Sequence, residues 1–220
     1  CFFNMLIMFD LINYFRMKII CLANNYRDHA KEINHPIPSV PVFFLKPDTA
    51  LLRNNRPFFL PDFSEEIHYE VELVVKISRL GKGIQEKYAH RYYSTIGVGI
   101  DFTARDIQRE CVAKGLPWEI AKAFDYSAAI SPTFVSIEHF PDKQNIHFRL
   151  DINGQTVQSG CSGEMIFSFD TAIAHISKYM TLRTGDLLFM GTPPGVGRIK
   201  IGDRLQAYLE NQLMLDFLIK

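Results

Sequence analysis

The chain has 220 residues, 47% of them apolar, with 24 basic side chains against 24 acidic ones. That length fits one domain with a full core, and a zero balance without a Lys/Arg run or a basic aromatic stripe gives no footprint for nucleic acid. Cys1, Cys21, Cys111 and Cys161 are scattered, which excludes a disulfide framework or a zinc knuckle and fits a reducing cytoplasm.

Residues 1–16 are apolar but broken by Asn4, Asp10 and Asn13, too short to span a bilayer and without the basic start of a secretory signal. They read as an upstream extension or a cloning remnant, and residues 17–220 as a single catalytic domain. Met17-Lys18-Ile19-Ile20 opens a first strand over 18–22, followed by a helical pattern over 26–33 and a proline-spaced stretch at Pro36, Pro38 and Pro41. Further strands are expected over 42–45, 71–77, 96–100, 146–152, 156–159, 187–190 and 204–209. Gly97 and Gly99 loosen the strand that ends near Asp101, where a helix-like stretch begins, and Gly115-Leu116-Pro117-Trp118 makes a turn. Asn153-Gly154 between alternating strands predicts a primed hairpin, and 171–179 predicts a helix with Ala172, Ile173, Ile176 and Tyr179 on one face. The segment Gly191-Thr192-Pro193-Pro194-Gly195-Val196-Gly197 lacks the Gly-Lys-Ser/Thr ending of a phosphate loop and reads as a rigid turn. No repeat or linker interrupts this order, strands dominate it, and antiparallel pairing is expected at the Asn153-Gly154 hairpin.

Glu70-Val71-Glu72 carries the clearest chemistry, because strand alternation puts both glutamates on one side, able to share a cation with Asp101. Two carboxylates about 6 Å apart repel by roughly 3 kcal/mol at an effective dielectric near 20. A bound divalent ion reverses that cost, and a wet strand face relieves it. Taken by itself, Asp101 reads slightly more readily as the N-cap of the following helix, a place Thr103 could fill equally well. Three carboxylates without a convergent Cys or His pair suit Mg2+ or Mn2+ better than zinc. His29 and Glu32, three apart, share a face if their segment is helical, so the carboxylate can orient the imidazole as a base; an exposed, charged helix start is the alternative. Arg105 and Gln108 share the same spacing.

Seven separated blocks now stand in order: Asn25-Tyr26-Arg27-Asp28-His29-Ala30-Lys31-Glu32, Phe44-Leu45-Lys46-Pro47, His68-Tyr69-Glu70-Val71-Glu72-Leu73, Asp101-Phe102-Thr103-Ala104-Arg105-Asp106, Lys114-Gly115-Leu116-Pro117-Trp118 with Ala121-Lys122, Met165-Ile166-Phe167-Ser168, and Gly191-Thr192-Pro193 with Gly195-Val196-Gly197. Together they resemble the fumarylacetoacetate hydrolase family, in particular its short acylpyruvate hydrolase and oxaloacetate decarboxylase branch. The resemblance implies a mixed α+β, mainly antiparallel, fumarylacetoacetase-like β-roll that fits this order of elements, a homodimer, a Mg2+ or Mn2+ ion on Glu70, Glu72 and Asp101, and a small 2-oxo acid as substrate. It places His29 and Glu32 as the water-activating dyad, Lys122 at a developing oxyanion, and Arg105, Gln108 and Thr192 against substrate. Lys46 takes a structural or substrate-side role, and the segment around 26–41 behaves as a mobile lid. Two departures stand out: Ala23 replaces a glycine that many relatives have, and the ending from Asn211 to Lys220 is unlike the common one.

The activity implied is hydrolysis of the C3–C4 bond of an acylpyruvate, giving pyruvate and a carboxylic acid. Decarboxylation of oxaloacetate and isomerisation of an unsaturated dioate share the same enolate and are the near alternatives. A dicarboxylate- or metal-binding module without turnover is the alternative of a different class, and the presence of every expected site residue weighs against it.

Overall fold

The computed structural model describes residues 17–32 and 35–220. The stretch expected to be an extension, 1–16, lies outside the described residues, as does Ile33 at the end of the first expected helix. Strands of the first half are β1 (Ile19–Ala23), β2 (Val42–Lys46), β3 (Leu51–Leu52), β4 (Ile67–Tyr69), β5 (Val71–Ile77), β6 (Tyr93–Asp101) and β7 (Thr103–Ala104). The second half adds β8 (Ala128–Ile130), β9 (Val135–Ser136), β10 (His147–Ile152), β11 (Gln155–Cys161), β12 (Leu187–Phe189), β13 (Gly197–Arg198), β14 (Arg204–Leu209) and β15 (Gln212–Leu218). Helices are short: α1 (Arg27–Glu32), α2 (Glu86–Ala89), α3 (Arg105–Lys114), α4 (Glu119–Lys122) and α5 (Phe169–Tyr179).

The large sheet runs β2-β1-β12-β5-β6-β8-β3, with β9 beside β6. Within it β1 pairs β12 and β3 pairs β8 in parallel, while every other pairing is antiparallel. A second sheet, β11-β10-β14-β15, is antiparallel throughout, and a small third sheet joins β13, β4 and β7. The mixed α+β, mainly antiparallel roll expected from the sequence is the fold observed.

Alternation along β5 explains where the site lies. Val71, Leu73, Val75 and Ile77 enter the main core with Ile20, Leu188, Phe148 and Leu150, whereas Val74 points the other way into a smaller core with Cys21, Leu51 and Phe189. Each such aliphatic residue contributes roughly 1.5–3 kcal/mol on burial. Because both faces of the strand are covered, the wet face on which two glutamates sit harmlessly does not exist here. Glu70 and Glu72 share a side as expected, and that side is inside the protein.

Local chemistry sets the other boundaries. Asn153 and Gly154 both have positive φ, 54° and 80°, as a type I′ turn demands, and connect β10 to β11. Helix α5 starts at Phe169, two residues before its expected start, because the Ser168 hydroxyl accepts from the Thr171 N–H as its N-cap. Tyr179, expected on the buried face of that helix, is exposed instead and lies against Phe43 and His175.

Candidate metal centre

Strands β5 and β6 bring the acids together. Val71 pairs with Ile100 and Glu72 with Gly99, and the Asp101 N–H donates to the Glu70 carbonyl at 2.9 Å. Carboxylate oxygens of Glu70, Glu72 and Asp101 consequently lie within 4.8 Å of one another, and all three residues are buried. Asp101 does not cap the following helix: α3 begins at Arg105 with Ala104 at its N-cap, and neither Asp101 nor Thr103 supplies a capping bond.

Three buried cations face these three acids. The Lys122 ammonium, on α4, lies 2.8 Å from Glu70 Oε2 and 3.0 Å from Asp101 Oδ2. Arg105 reaches Glu70 Oε1 at 2.5 Å through one guanidinium nitrogen and Gln108 Oε1 at 2.6 Å through another. Lys46 stands 2.7 Å from Asp101 Oδ1, off the hydrogen-bonding direction of that oxygen, and spends its protons on the Phe102 carbonyl and on the Ser127 carbonyl and hydroxyl. Lys46 is thus anchored beside Asp101 by main-chain and Ser127 partners, which favours the structural side of its expected role.

The charges do not fall evenly. Burial alone would raise the Glu70 carboxyl, but Lys122 and Arg105 outweigh it and hold it well below the ordinary range. Glu72 goes the other way: burial, then the neighbouring Asp101 and Glu70 charges, push it well above the ordinary range, opposed by Lys122 and by the 2.6 Å bond from the Gly191 N–H. Burial lowers the Lys122 ammonium, yet Asp101 and Glu70 win and raise it overall. A Glu72 carboxyl whose ionisation its neighbours oppose and an Asp101 oxygen with no well-directed donor fit a set that could hold a cation. An all-oxygen donor set of this charge fits a divalent hard ion, Mg2+ or Mn2+.

His29 and Glu32 do lie on one helix, α1, with His29 Nδ1 3.1 Å from Glu32 Oε2. His29 is buried and lines the triad's cavity, while Glu32 stays partly exposed and accepts from the Gly195 N–H at 3.0 and 3.3 Å. With Nδ1 committed to Glu32, Nε2 is the imidazole nitrogen left for chemistry. Arg105, Gln108, Lys122 and Thr192 line the same cavity, so eight of the nine expected site residues converge there and Glu32 adjoins through His29. Its free space is about 30 Å³, room for one or two waters, so a substrate enters only as lining groups move.

Residues not foreseen complete the frame. Gln158 on β11 is buried; its Oε1 accepts from the Val71 N–H at 2.9 Å, and its Nε2 donates to the Thr192 hydroxyl at 2.9 Å and the Pro193 carbonyl at 2.8 Å. The Thr192 hydroxyl in turn donates to the Val71 carbonyl at 2.9 Å. Both polar groups of the residue between the two glutamates are thus held by side chains. Asn25 pins the other end of the turn, donating to the Met190 and Phe167 carbonyls and accepting from the Phe167 N–H. Gly191 beside it has φ +88°, and a Cβ there would fall 2.7 Å from that of Asn25. Ala23 is an ordinary last residue of β1, and Asn24 takes the left-handed conformation, φ 56°, that redirects the chain into α1.

Comparison with known proteins matches residues 18–216 to the family described as fumarylacetoacetate (FAA) hydrolase, C-terminal. The mitochondrial oxaloacetate tautomerase FAHD1 of Bos taurus is 40% identical over 202 residues, 92% of this chain and 91% of that protein. The oxaloacetate tautomerase YcgM of Escherichia coli is 38% identical over 195 residues, 89% of each chain. Among solved structures, fumarylpyruvate hydrolase from Pseudomonas aeruginosa, in complex with Mn2+ and pyruvate, superposes with a TM-score of 0.85 at 31% identity, covering 94% of this chain and 91% of that one.

Proposed function

The chain belongs to the fumarylacetoacetate hydrolase family, and from that premise we propose that it is an enzyme that generates and uses the enolate of a small 2-oxo acid. The observation that carries the proposal is the buried Glu70, Glu72 and Asp101 set with an oriented imidazole, His29, facing the same cavity. Mg2+ or Mn2+ held by the three carboxylates would polarise the carboxylate and 2-oxo oxygens of the substrate.

The names of the bovine and bacterial relatives favour keto–enol interconversion of oxaloacetate as the first activity. His29, steadied by Glu32, exchanges the proton at C3, and Lys122 offsets the charge that grows on the enolate oxygen. Arg105 and Gln108 orient a substrate carboxylate, their mutual bond presetting the angle of the guanidinium. Thr192 has already given its hydroxyl proton to Val71, so its contribution to a carboxylate is the backbone N–H.

A second reading, hydrolysis of an acylpyruvate, is favoured by the His29–Glu32 pair itself, since an oriented base is what water activation needs. His29 takes a proton from water, the hydroxide oxygen bonds to C4, and Lys122 stabilises the resulting oxyanion. The C3–C4 bond then breaks, pyruvate departs as its enolate and the acyl fragment as a carboxylic acid. Decarboxylation of oxaloacetate and isomerisation of an unsaturated dioate use the same enolate without that water. The working form is a homodimer in this reading. The cytoplasm inferred from the cysteines stands beside the mitochondrial label of the bovine relative, and no helix among the described residues is long and apolar enough to cross a membrane.

The test is to strip the protein of metal, add back Mg2+ or Mn2+, and follow oxaloacetate tautomerisation, pyruvate release from oxaloacetate and pyruvate release from acetylpyruvate against metal-only controls. Metal-dependent acceleration of any of the three supports the enolate chemistry, and their ratio ranks the activities. Metal and pyruvate binding without turnover of any of them would make the protein a binder rather than an enzyme.

A further inference from the structure

A second cavity, of about 360 Å³, shares no lining residue with the metal centre and falls in the size range of small-ligand sites. It opens between the first turn of α5 and the chain that leads into β10, with the start of β6 in its wall. Two opposite charges line it without meeting. Lys143 holds its ammonium 5.1 Å from the centre of the Tyr93 ring and donates to the Tyr93 hydroxyl at 3.4 Å. Asp170 faces the same hydroxyl: after burial, its charge is the main cause that raises the phenol above its ordinary range. Among the described residues neither Lys143 nor Asp170 has an ion-pair partner, and Asp170 Oδ1 is buried without a hydrogen bond. A simple ion would satisfy one of these charges and be repelled by the other, whereas a ligand carrying both an ammonium and a carboxylate satisfies the two together. The remaining wall is apolar, made by Met165, Ile166 and Phe169.

That apolar wall reaches α1 through main-chain bonds. Met165 pairs with Tyr26 in an antiparallel bridge, and the Ile166 N–H donates to the Asn25 carbonyl at 2.7 Å. The Phe167 N–H donates to the Asn25 side chain at 2.8 Å, and the Phe167 carbonyl accepts from it at 3.1 Å. Asn25 and Tyr26 immediately precede α1, which carries His29 and Glu32. Whatever fixes residues 165–167 therefore also fixes the root of that helix.

We propose that this cavity binds a free α-amino acid with an apolar side chain, its carboxylate on Lys143, its ammonium on Asp170 and its side chain against Met165, Ile166 and Phe169, and that occupancy steadies the root of α1. The inference stands apart from whatever reaction the metal centre performs.

The experiment titrates leucine calorimetrically into the protein with and without Mn2+, beside leucinamide, which lacks the carboxylate, and 4-methylpentanoate, which lacks the ammonium. Leucine should bind equally in both metal states, and each analogue about tenfold or more weakly, the effect of losing one charge-assisted contact. Lys143→Gln should weaken leucine by a similar factor without weakening leucinamide, and Asp170→Asn should weaken leucine without weakening 4-methylpentanoate. With leucine bound, amide hydrogen exchange over residues 25–32 should slow by about threefold or more. Failure of leucine, valine and phenylalanine to bind at millimolar concentration overturns the site, as does binding that needs Mn2+ or survives both variants. Leucine binding with unchanged exchange over 25–32 overturns the coupling to α1.

Discussion

Replacing Gln158 with Met removes three buried hydrogen bonds with almost no change in side-chain volume. The Val71 N–H loses its acceptor and the Pro193 carbonyl its side-chain donor, while the Thr192 hydroxyl keeps its bond to Val71. Each buried polar group left unpaired costs about 1–3 kcal/mol, so the two together cost about 2–6 kcal/mol. For a chain of this size about 2–4 °C of Tm accompanies each kcal/mol, which puts the expected fall at roughly 4–24 °C. Because Val71 separates the two glutamates proposed as metal ligands, the same loss should loosen their spacing and weaken Mn2+ binding by about 10- to 100-fold, the usual effect of removing a group that orients ligands. Thermal unfolding with and without Mn2+, alongside a direct Mn2+ titration, reads both quantities. Gln158→Glu keeps an acceptor for Val71 but confronts the Pro193 carbonyl with a carboxylate, and should fall between parent and Met variant in Tm. Unchanged Mn2+ affinity in a folded Gln158→Met protein would refute the reasoning that this residue positions the metal centre.

His29→Ala should reduce acetylpyruvate hydrolysis by about 10²–10⁴-fold and oxaloacetate decarboxylation by much less, and equal losses in the two assays would argue against His29 as the water-activating base. Glu72→Gln should abolish Mn2+ binding yet stabilise the metal-stripped protein at neutral pH. The folded state holds the Glu72 proton above the pH at which the unfolded chain releases it, so parent stability falls as pH rises from about 4.3 toward the raised folded value. Urea unfolding of both proteins between pH 4 and 8 should show that fall in the parent and a flatter profile in Glu72→Gln, and a parent that gains stability relative to the variant over this range would contradict it. Lys46→Met leaves the buried Asp101 short of one of its two cations and should cost about 3–5 kcal/mol in urea unfolding, a cost under about 1 kcal/mol being incompatible with the structural role described.

The acids of the site were legible because two rules, strand alternation and hard-ion ligation, act on residues close in sequence. Burial was not: taken alone, Glu70 and Glu72 read more readily as a wet strand face, and it is β1, β12 and the smaller core that cover that side. Gln158 left no local signal, since its partners are main-chain groups and a hydroxyl from 34 to 87 residues away, and a glutamine in an alternating strand looks like solvent-facing polarity. Strand β15 was missed for a different reason. Met214 is the extra residue where the register with β14 shifts, so Met214 and Leu215 are both buried and the period-two pattern breaks. The turn before it takes its positive φ, 51°, at Glu210, without the glycine that would have marked a hairpin. Where turn chemistry was explicit, as at Asn153-Gly154, the connection was read correctly.

Glu32 holds His29 with one side of its carboxylate and accepts from the Gly195 N–H on the same group, joining α1 to the turn that follows the Gly191 corner. His29 and Glu32 ride on the same helix, so any movement that lifts α1 to admit a substrate carries the steadied imidazole as a unit and parts it from the turn at Gly195. An open molecule then has its base oriented but unseated, and the bond to Gly195 is what returns it to the acids. Loading comes first and chemistry second, and a change in the 191–197 turn should register kinetically as though the base itself had been altered.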